Sequence, residues 1–173
     1  MADNSPMAET ARNWLERVVL DGEALSRLSP VMEADRAQAV MDLEYHNHFV
    51  PLTAPAAGQG PFALHLAITD GRLGLDIRAA ETGTPLIAHI LSLSPFRRLI
   101  KDYQILVDSH VLAVREGRAD RIQAIDMGRR GLHNEGADLL LARLAEKIAM
   151  DFDTARRLFT LLCVMHQRVD AHT

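Results

Sequence analysis

The chain has 173 residues, of which 48% are hydrophobic and 24% charged, and it carries a net charge of −4. Its single cysteine excludes an internal disulfide and fits a reducing compartment, while the charge balance argues against non-specific coating of nucleic acid. No basic segment followed by an apolar one opens the chain, and its longest apolar run, residues 158–165, is too short to span a bilayer. We therefore expect a single cytoplasmic domain over residues 1–173, with no membrane partner and no nucleic-acid partner.

The first third of the chain predicts a tail, a strand, a helix and a loop. Residues 1–13 are polar and are expected to form a flexible tail, followed by a short strand over residues 14–20. Ser29-Pro30 is typical of a helix start, and this helix is expected to end near Tyr45. Residues 47–61 contain three prolines and two glycines and are predicted to form a loop that tolerates substitution. The inward face of the helix is predicted to carry Ala34, Ala37, Val40 and Met41.

The clearest local pattern is a β-hairpin centred on Asp70-Gly71. Apolar residues alternate on both sides of this pair, which a two-residue type I′ turn prefers because both positions need φ > 0. The register in which partner numbers sum to about 141 puts the apolar side chains on one face and His65 opposite Asp76 on the other. A third strand is predicted over residues 86–93, so the sheet is expected to be an antiparallel meander.

The second half of the chain predicts three helices. The first begins at Ser94-Pro95 and ends near residue 117, the second covers about residues 120–147, and the third begins at an Asp153 N-cap and ends near Arg168. The third is apolar nearly all round and is expected to lie at the centre of the helical layer. The predicted fold class is α+β: an antiparallel three- to four-stranded meander sheet with one N-terminal helix and a C-terminal layer of three helices.

Residues 125–137 are unusual because three glycines interrupt a predicted helix. A glycine inside a helix costs about 1 kcal/mol relative to alanine, so the cluster needs a compensating reason. Gly128, Leu132 and Gly136 fall at i, i+4 and i+8, and we expect this glycine seam to let a second helix pack backbone to backbone. A polar ridge is predicted beside the seam, formed by Asp126, Arg129, Arg130, His133 and Asn134.

Three segments of the chain are distinctive: LSLSPFRR at 91–98 with KDY at 101–103, AIDMGRRGLHNEG at 124–136, and DFDTARRLFTL at 151–161. In these segments the chain resembles a small bacterial family known as uncharacterised protein family 0262. The resemblance is nearly full length and is weakest before about Pro61. It implies a cytoplasmic bacterial protein of about this size, and it carries over no catalytic residues.

Three Arg-Arg pairs predict an anion site: Arg97-Arg98, Arg129-Arg130 and Arg156-Arg157. Guanidinium groups bind phosphate and carboxylate in a bidentate way, and nearby helix N-termini would add favourable dipoles. The alternative is structural, because enough carboxylates lie nearby in the sequence to pair with inward-facing arginines. Both interpretations stay open. The carboxylates are Asp102, Asp126, Glu135, Asp151 and Asp153.

His133 is the candidate general acid or base, with Glu135 as its support, because the reference pKa of histidine is near working pH. A histidine beside two arginines is expected to be neutral. The alternative is a helix-interface histidine that bonds to a carbonyl group. Neither His46-x-His48 nor Cys163-x-x-His166 has a recognisable second half, so no metal site and no cofactor are expected.

The leading functional hypothesis is a non-enzymatic binding or regulatory protein with an anion-binding surface. Its partner would be an unknown protein or a small anionic ligand. Whether the chain is an enzyme stays open, and the rival hypothesis is an enzyme that acts on a phosphorylated or carboxylated small molecule with His133 as acid/base. A third possibility is that the glycine seam forms a homodimer. The candidate site residues are Arg129, Arg130, His133, Asn134 and Glu135, with Arg97, Arg98, Arg156 and Arg157.

Overall fold

The computed structural model describes residues 12–21 and 29–170, with side chains up to residue 166. The tail predicted over residues 1–13 therefore lies almost entirely outside the described residues. Of the described helices, none is long and apolar enough to cross a membrane. The elements in chain order are β1 (Leu15–Leu20), α1 (Pro30–Tyr45), β2 (Phe49–Pro51), β3 (Phe62–Thr69), β4 (Arg72–Ala79), β5 (Pro85–Ser92), α2 (Arg97–Arg115), α3 (Ala119–Leu144), β6 (Ile148–Met150) and α4 (Phe152–Asp170), with a 3₁₀ turn at Ser94–Phe96 before α2.

The predicted hairpin is confirmed in place and in register. β3 and β4 pair antiparallel, with Ile68 opposite Leu73 and His65 opposite Asp76. The turn residues Asp70 and Gly71 have φ values of 53° and 70°, as the type I′ turn requires. Because the turn has only two residues, it sets the register of the whole pair and directs the apolar side chains into the core.

The main sheet is mixed, so the expectation of a purely antiparallel meander is wrong. Its strand order is β1-β3-β4-β5, and β1 runs parallel to β3, with Val18 beside Leu64. The chain leaves β1 and returns to β3 through α1 and β2, and parallel neighbours need such a long crossover connection. The predicted α+β class is confirmed.

Residues 47–61 are not simply a tolerant loop. They contain β2, which pairs antiparallel with β6 in a second sheet of two strands. The side chain of Asn47 is buried and accepts a hydrogen bond from the Leu15 amide at 2.7 Å. It also donates to the carbonyls of Leu15 at 2.8 Å and Leu43 at 2.7 Å. One asparagine therefore ties β1, α1 and this segment together.

Helix α1 begins where it was predicted, but it buries a different face. Ser29 is the N-cap, and its hydroxyl accepts a hydrogen bond from the Met32 amide at 3.3 Å. Three of the four residues predicted to point inward, Ala34, Ala37 and Met41, are exposed. The buried residues of the helix are Met32, Ala39 and Leu43.

Helix α4 lies at the centre of the helical layer, as predicted, and its residues from Leu161 to Met165 are all buried. It packs against α1 on one side and α3 on the other, so the N-terminal helix joins the three C-terminal helices in one layer. The N-cap is Asp151 and not Asp153, because the Asp151 carboxylate accepts a hydrogen bond from the Thr154 amide at 3.0 Å. The single helix predicted across the glycine cluster is confirmed as α3.

Candidate functional site

Helices α1, α3 and α4 enclose a cleft of about 420 Å³, which we call the three-helix cleft. Four arginines, one histidine and three aspartates meet there, although they come from distant parts of the sequence. The lining residues are Asp35, Gln38, Ala39 and Asp42 from α1, Asp126, Arg129, Arg130 and His133 from α3, and Arg156, Arg157 and Thr160 from α4.

The three-helix cleft brings together five of the predicted site residues, namely Arg129, Arg130, His133, Arg156 and Arg157. The other four lie elsewhere. Arg98 forms ion pairs with Glu135 and with Asp102, beside a separate groove between α2 and α3. Arg97 and Asn134 are exposed and do not line the cleft.

A partly buried hydrogen-bond network fixes Arg129. Its Nη2 donates to Asp35 Oδ2 at 2.6 Å, and the hydroxyl of Tyr103 donates to the same oxygen at 2.7 Å. Burial, reinforced by the charge of Asp35, raises the pKa of Tyr103, so the phenol keeps its proton and remains a donor. The Asp35 carboxylate is thus committed to two donors, and Arg129 is held in place on the wall of the cleft.

The remaining arginines of the cleft differ in their partners. Arg157 Nε lies 3.7 Å from Asp42 Oδ2, which is a loose ion pair. Neither Arg130 nor Arg156 forms an ion pair with any described residue, and Arg156 Nε is buried without a hydrogen-bond partner there. Four guanidinium groups against three carboxylates leave the cleft with a net charge of +1 when the histidine is neutral.

His133 is only 9% exposed and lines the three-helix cleft. Its Nδ1 lies 2.6 Å from the carbonyl oxygen of Arg129, one turn earlier in α3. The ring makes edge contacts with Tyr103 and Phe159, at centroid distances of 6.1 Å and 5.8 Å. Burial is the main cause that lowers the pKa of His133, and the charges of Arg129 and Arg156 act in the same direction. The imidazole was expected to be neutral because of neighbouring arginines, but burial contributes more.

The glycine seam packs against side chains of the same chain. A Cβ atom at Gly136 would lie 2.5 Å from ring carbons of Phe159 on α4, and a Cβ at Gly128 would lie 3.4 Å from the side chain of Leu106 on α2. Gly136 therefore lets an aromatic ring, rather than another backbone, lie against α3. The same ring also contacts the imidazole of His133.

Sequence reasoning missed the acidic wall of the cleft on α1. Asp35, Gln38 and Asp42 occur at i, i+3 and i+7, which places them on one face of the predicted helix. This spacing was the available signal, and it indicates a polar stripe that could meet a basic one. Nothing in the sequence says which later helix it faces. Within the described part of the chain, no three His, Cys, Asp or Glu side chains come together as a metal ion would need.

Comparison with known proteins places the chain in a family. The profile of the Uncharacterised protein family (UPF0262) matches residues 12–168. A UPF0262 protein of Granulibacter bethesdensis is 58% identical over 96% of this chain and 97% of its own length. Relatives from Acidiphilium cryptum and Rhodopseudomonas palustris strain HaA2 are 54% and 50% identical, covering 97% and 94% of this chain and 99% and 98% of their own lengths. No solved structure gives a significant match. The chain is a member of the UPF0262 family.

Proposed function

We propose that this protein binds a small anion, a phosphate or a carboxylate, in the three-helix cleft, and that it acts as a binding or regulatory protein rather than as an enzyme. One observation carries the proposal: Arg130 and Arg156 line the cleft without a carboxylate partner among the described residues, and Arg156 Nε is buried without an acceptor. A buried charged donor that lacks an acceptor costs free energy, about 1–3 kcal/mol or more. An oxyanion in the cleft would give Arg130 and Arg156 the negative partner that they lack among the described residues.

The shape of the cleft supports a small ligand over a macromolecular partner. Its volume of about 420 Å³ falls in the range of small-molecule sites, about 300–1,000 Å³. Arg129 is already held by Asp35, so part of the wall is fixed before any ligand arrives. Preorganised donors lose less conformational entropy when they bind, which favours affinity.

Isothermal titration calorimetry with inorganic phosphate and a panel of phosphorylated and carboxylated metabolites tests the proposal. We expect wild-type protein to bind at least one member. An Arg130→Ala, Arg156→Ala double variant should bind it more weakly, because removing a charge-assisted hydrogen bond reduces affinity roughly 10- to 100-fold. Arg143→Ala is the matched control, because Arg143 is an exposed arginine on α3 that does not line the cleft. The proposal is wrong if wild-type protein binds nothing in the panel, or if the double variant keeps its fold and its affinity.

The second candidate is an enzyme that acts on a phosphorylated or carboxylated small molecule. It is favoured by one observation, the buried His133 whose lowered pKa leaves a neutral imidazole in the cleft, since a neutral imidazole can accept a proton. Glu135 is not positioned to support it, because its carboxylate pairs with Arg98. The carbonyl of Arg129 orients the ring instead.

Turnover of the same panel separates the enzyme from the binder. The enzyme hypothesis expects His133→Gln to abolish turnover while the affinity for the substrate changes little. If wild-type protein binds a panel member and converts none, the binding function stands and the enzyme is eliminated.

We also infer that the protein works in the cytoplasm, because the thiol of Cys163 is free and fits a reducing compartment. Cell fractionation of a bacterium that expresses it tests this location. Homodimerisation through the glycine seam stays a prediction for sedimentation analysis, although Phe159 of the same chain already covers Gly136.

A further inference from the structure

The hydrogen bond of His133 fixes which ring nitrogen is available to a ligand. Nδ1 lies 2.6 Å from the Arg129 carbonyl oxygen, and a carbonyl oxygen can only accept, so Nδ1 carries the hydrogen. In the neutral imidazole the other nitrogen, Nε2, then has no hydrogen and presents a lone pair. His133 therefore brings an acceptor to a cleft whose arginines are all donors.

The surroundings of His133 keep it an acceptor. Burial is the largest influence that disfavours a positive charge on the ring, which lies against the aromatic rings of Tyr103 and Phe159. The cations Arg129 and Arg156 act in the same direction. The Arg129 carbonyl and Asp35 act in the opposite direction, and Asp35 is already bonded to Arg129 and Tyr103. The titratable, charged and aromatic groups that line the cleft with His133 or contact its ring are Asp35 and Asp42 on α1, Tyr103 on α2, Asp126, Arg129 and Arg130 on α3, and Arg156, Arg157 and Phe159 on α4.

We infer that the three-helix cleft selects oxyanions that still carry a proton, namely inorganic phosphate or the monoanion of a phosphate monoester, over fully deprotonated oxyanions such as sulfate. This inference rests on the proposed function. The anionic oxygens of phosphate would accept from Arg130 and Arg156, while its hydroxyl would donate to Nε2 of His133. Sulfate at neutral pH has no hydrogen to donate, so its oxygen lone pairs would face the lone pair of Nε2.

The size of the preference follows from the cost of an unpaired acceptor. A buried acceptor that faces another acceptor forfeits its hydrogen bond and repels the ligand, which weakens binding by roughly 10- to 100-fold. Arginines alone cannot produce this preference, because guanidinium groups accommodate both tetrahedral anions. The ratio of the phosphate and sulfate affinities therefore measures the effect of the His133 acceptor. The affinity for either anion alone measures the effect of the arginines.

Calorimetric titration with sodium phosphate and sodium sulfate, at pH 7 and equal ionic strength, tests the inference. We expect wild-type protein to bind phosphate at least about 10-fold more tightly than sulfate. In His133→Gln the amide can donate to either anion, so the ratio of the two affinities should fall close to one. Asp126→Asn is the competing arm, because Asp126 is the carboxylate that lines the cleft without an ion pair among the described residues. If Asp126→Asn, and not His133→Gln, removes the preference, the assignment to His133 is overturned.

Two further outcomes separate this inference from the proposed function. Equal affinity of wild-type protein for phosphate and sulfate overturns the selection but leaves anion binding intact, whereas binding of neither anion, nor of any metabolite in the panel, overturns both. If His133→Gln does not fold, wild-type protein with methyl phosphate gives the answer. The monoester loses its last proton near about pH 6, so its affinity should fall at least about 10-fold between pH 5.5 and 8. An affinity that is constant or rises over that interval contradicts the inference.

Discussion

Gly136 explains, at the scale of one residue, why α3 contains glycine despite its low helix propensity: a larger residue would clash with Phe159. A Cβ at this position would lie 2.5 Å from ring carbons of Phe159, and that ring is fully buried. We expect Gly136→Ala to lower the free energy of unfolding by about 1–3 kcal/mol, because overpacking outweighs the gain of about 1 kcal/mol in helix propensity. Urea denaturation at neutral pH measures the change.

The matched control is Gly131→Ala on the same helix. A Cβ at Gly131 meets nothing within 4 Å, so only helix propensity and the entropy of the unfolded chain change. We expect this variant to be about 0.5–1 kcal/mol more stable than wild type. If Gly131→Ala also destabilised the protein, the contrast would come from the helix itself and not from Phe159.

Residue spacing predicted part of the candidate site for a physical reason. Arg129, Arg130 and His133 lie within one helical turn, so any helix through them brings their side chains close together. The partners of those side chains could not be predicted. Asp35 reaches Arg129 only because α1 and α3, which are far apart in the sequence, both pack against α4. Which helices become neighbours depends on how the whole core packs, and no local pattern encodes that.

At the scale of elements, a strand pairing could be predicted when the two strands are close together in the sequence. The β3–β4 hairpin was predictable residue by residue because its two-residue turn fixes both strands. The parallel pairing of β1 with β3 was not, since about forty residues separate these strands and no local pattern encodes the return path. β2 and β6 were missed for a simpler reason: three residues are too few to show a period.

Asn47 links β1 to α1, and the sequence analysis did not predict this link. Its amide forms three hydrogen bonds to the backbones of β1 and α1, and the site is buried. We expect Asn47→Ala to lower the free energy of unfolding by about 2–4 kcal/mol, because it leaves the amide and carbonyl of Leu15 without their partner. Chemical denaturation followed by circular dichroism measures the loss.

Asn134→Ala is the control for Asn47. Asn134 is exposed in the middle of α3, where alanine is the better helix former, so we expect no loss of stability and a gain of up to about 0.7 kcal/mol. If Asn47→Ala and Asn134→Ala lowered the free energy of unfolding equally, the hydrogen bonds of Asn47 would not be what joins β1 to α1.

For the whole molecule, two buried histidines couple the fold to pH. Burial lowers the pKa of His133 in the helical layer, and burial together with the charge of Lys147 lowers the pKa of His89 on β5. Nε2 of His89 is buried and has no hydrogen-bond partner among the described residues, so no acceptor there favours a proton. The folded chain therefore binds fewer protons than the unfolded chain in the interval that begins near the reference pKa of about 6.5 and extends downward.

The lowered pKa values of His133 and His89 make the folded protein less stable in acid. Where the unfolded chain binds more protons, the free energy of unfolding rises with pH, so stability should fall as the pH drops below about 6.5. Each histidine contributes at most about 1.4 kcal/mol per pH unit. Urea denaturation from pH 8 to 5.5, in phosphate-free buffers so that no ligand shifts the equilibrium, measures this slope. His133→Gln and His89→Gln should each make the slope shallower. A wild-type stability that does not change between pH 7 and 5.5 would mean that neither imidazole is held neutral by the fold, and the acceptor role of His133 in the three-helix cleft would lose its basis.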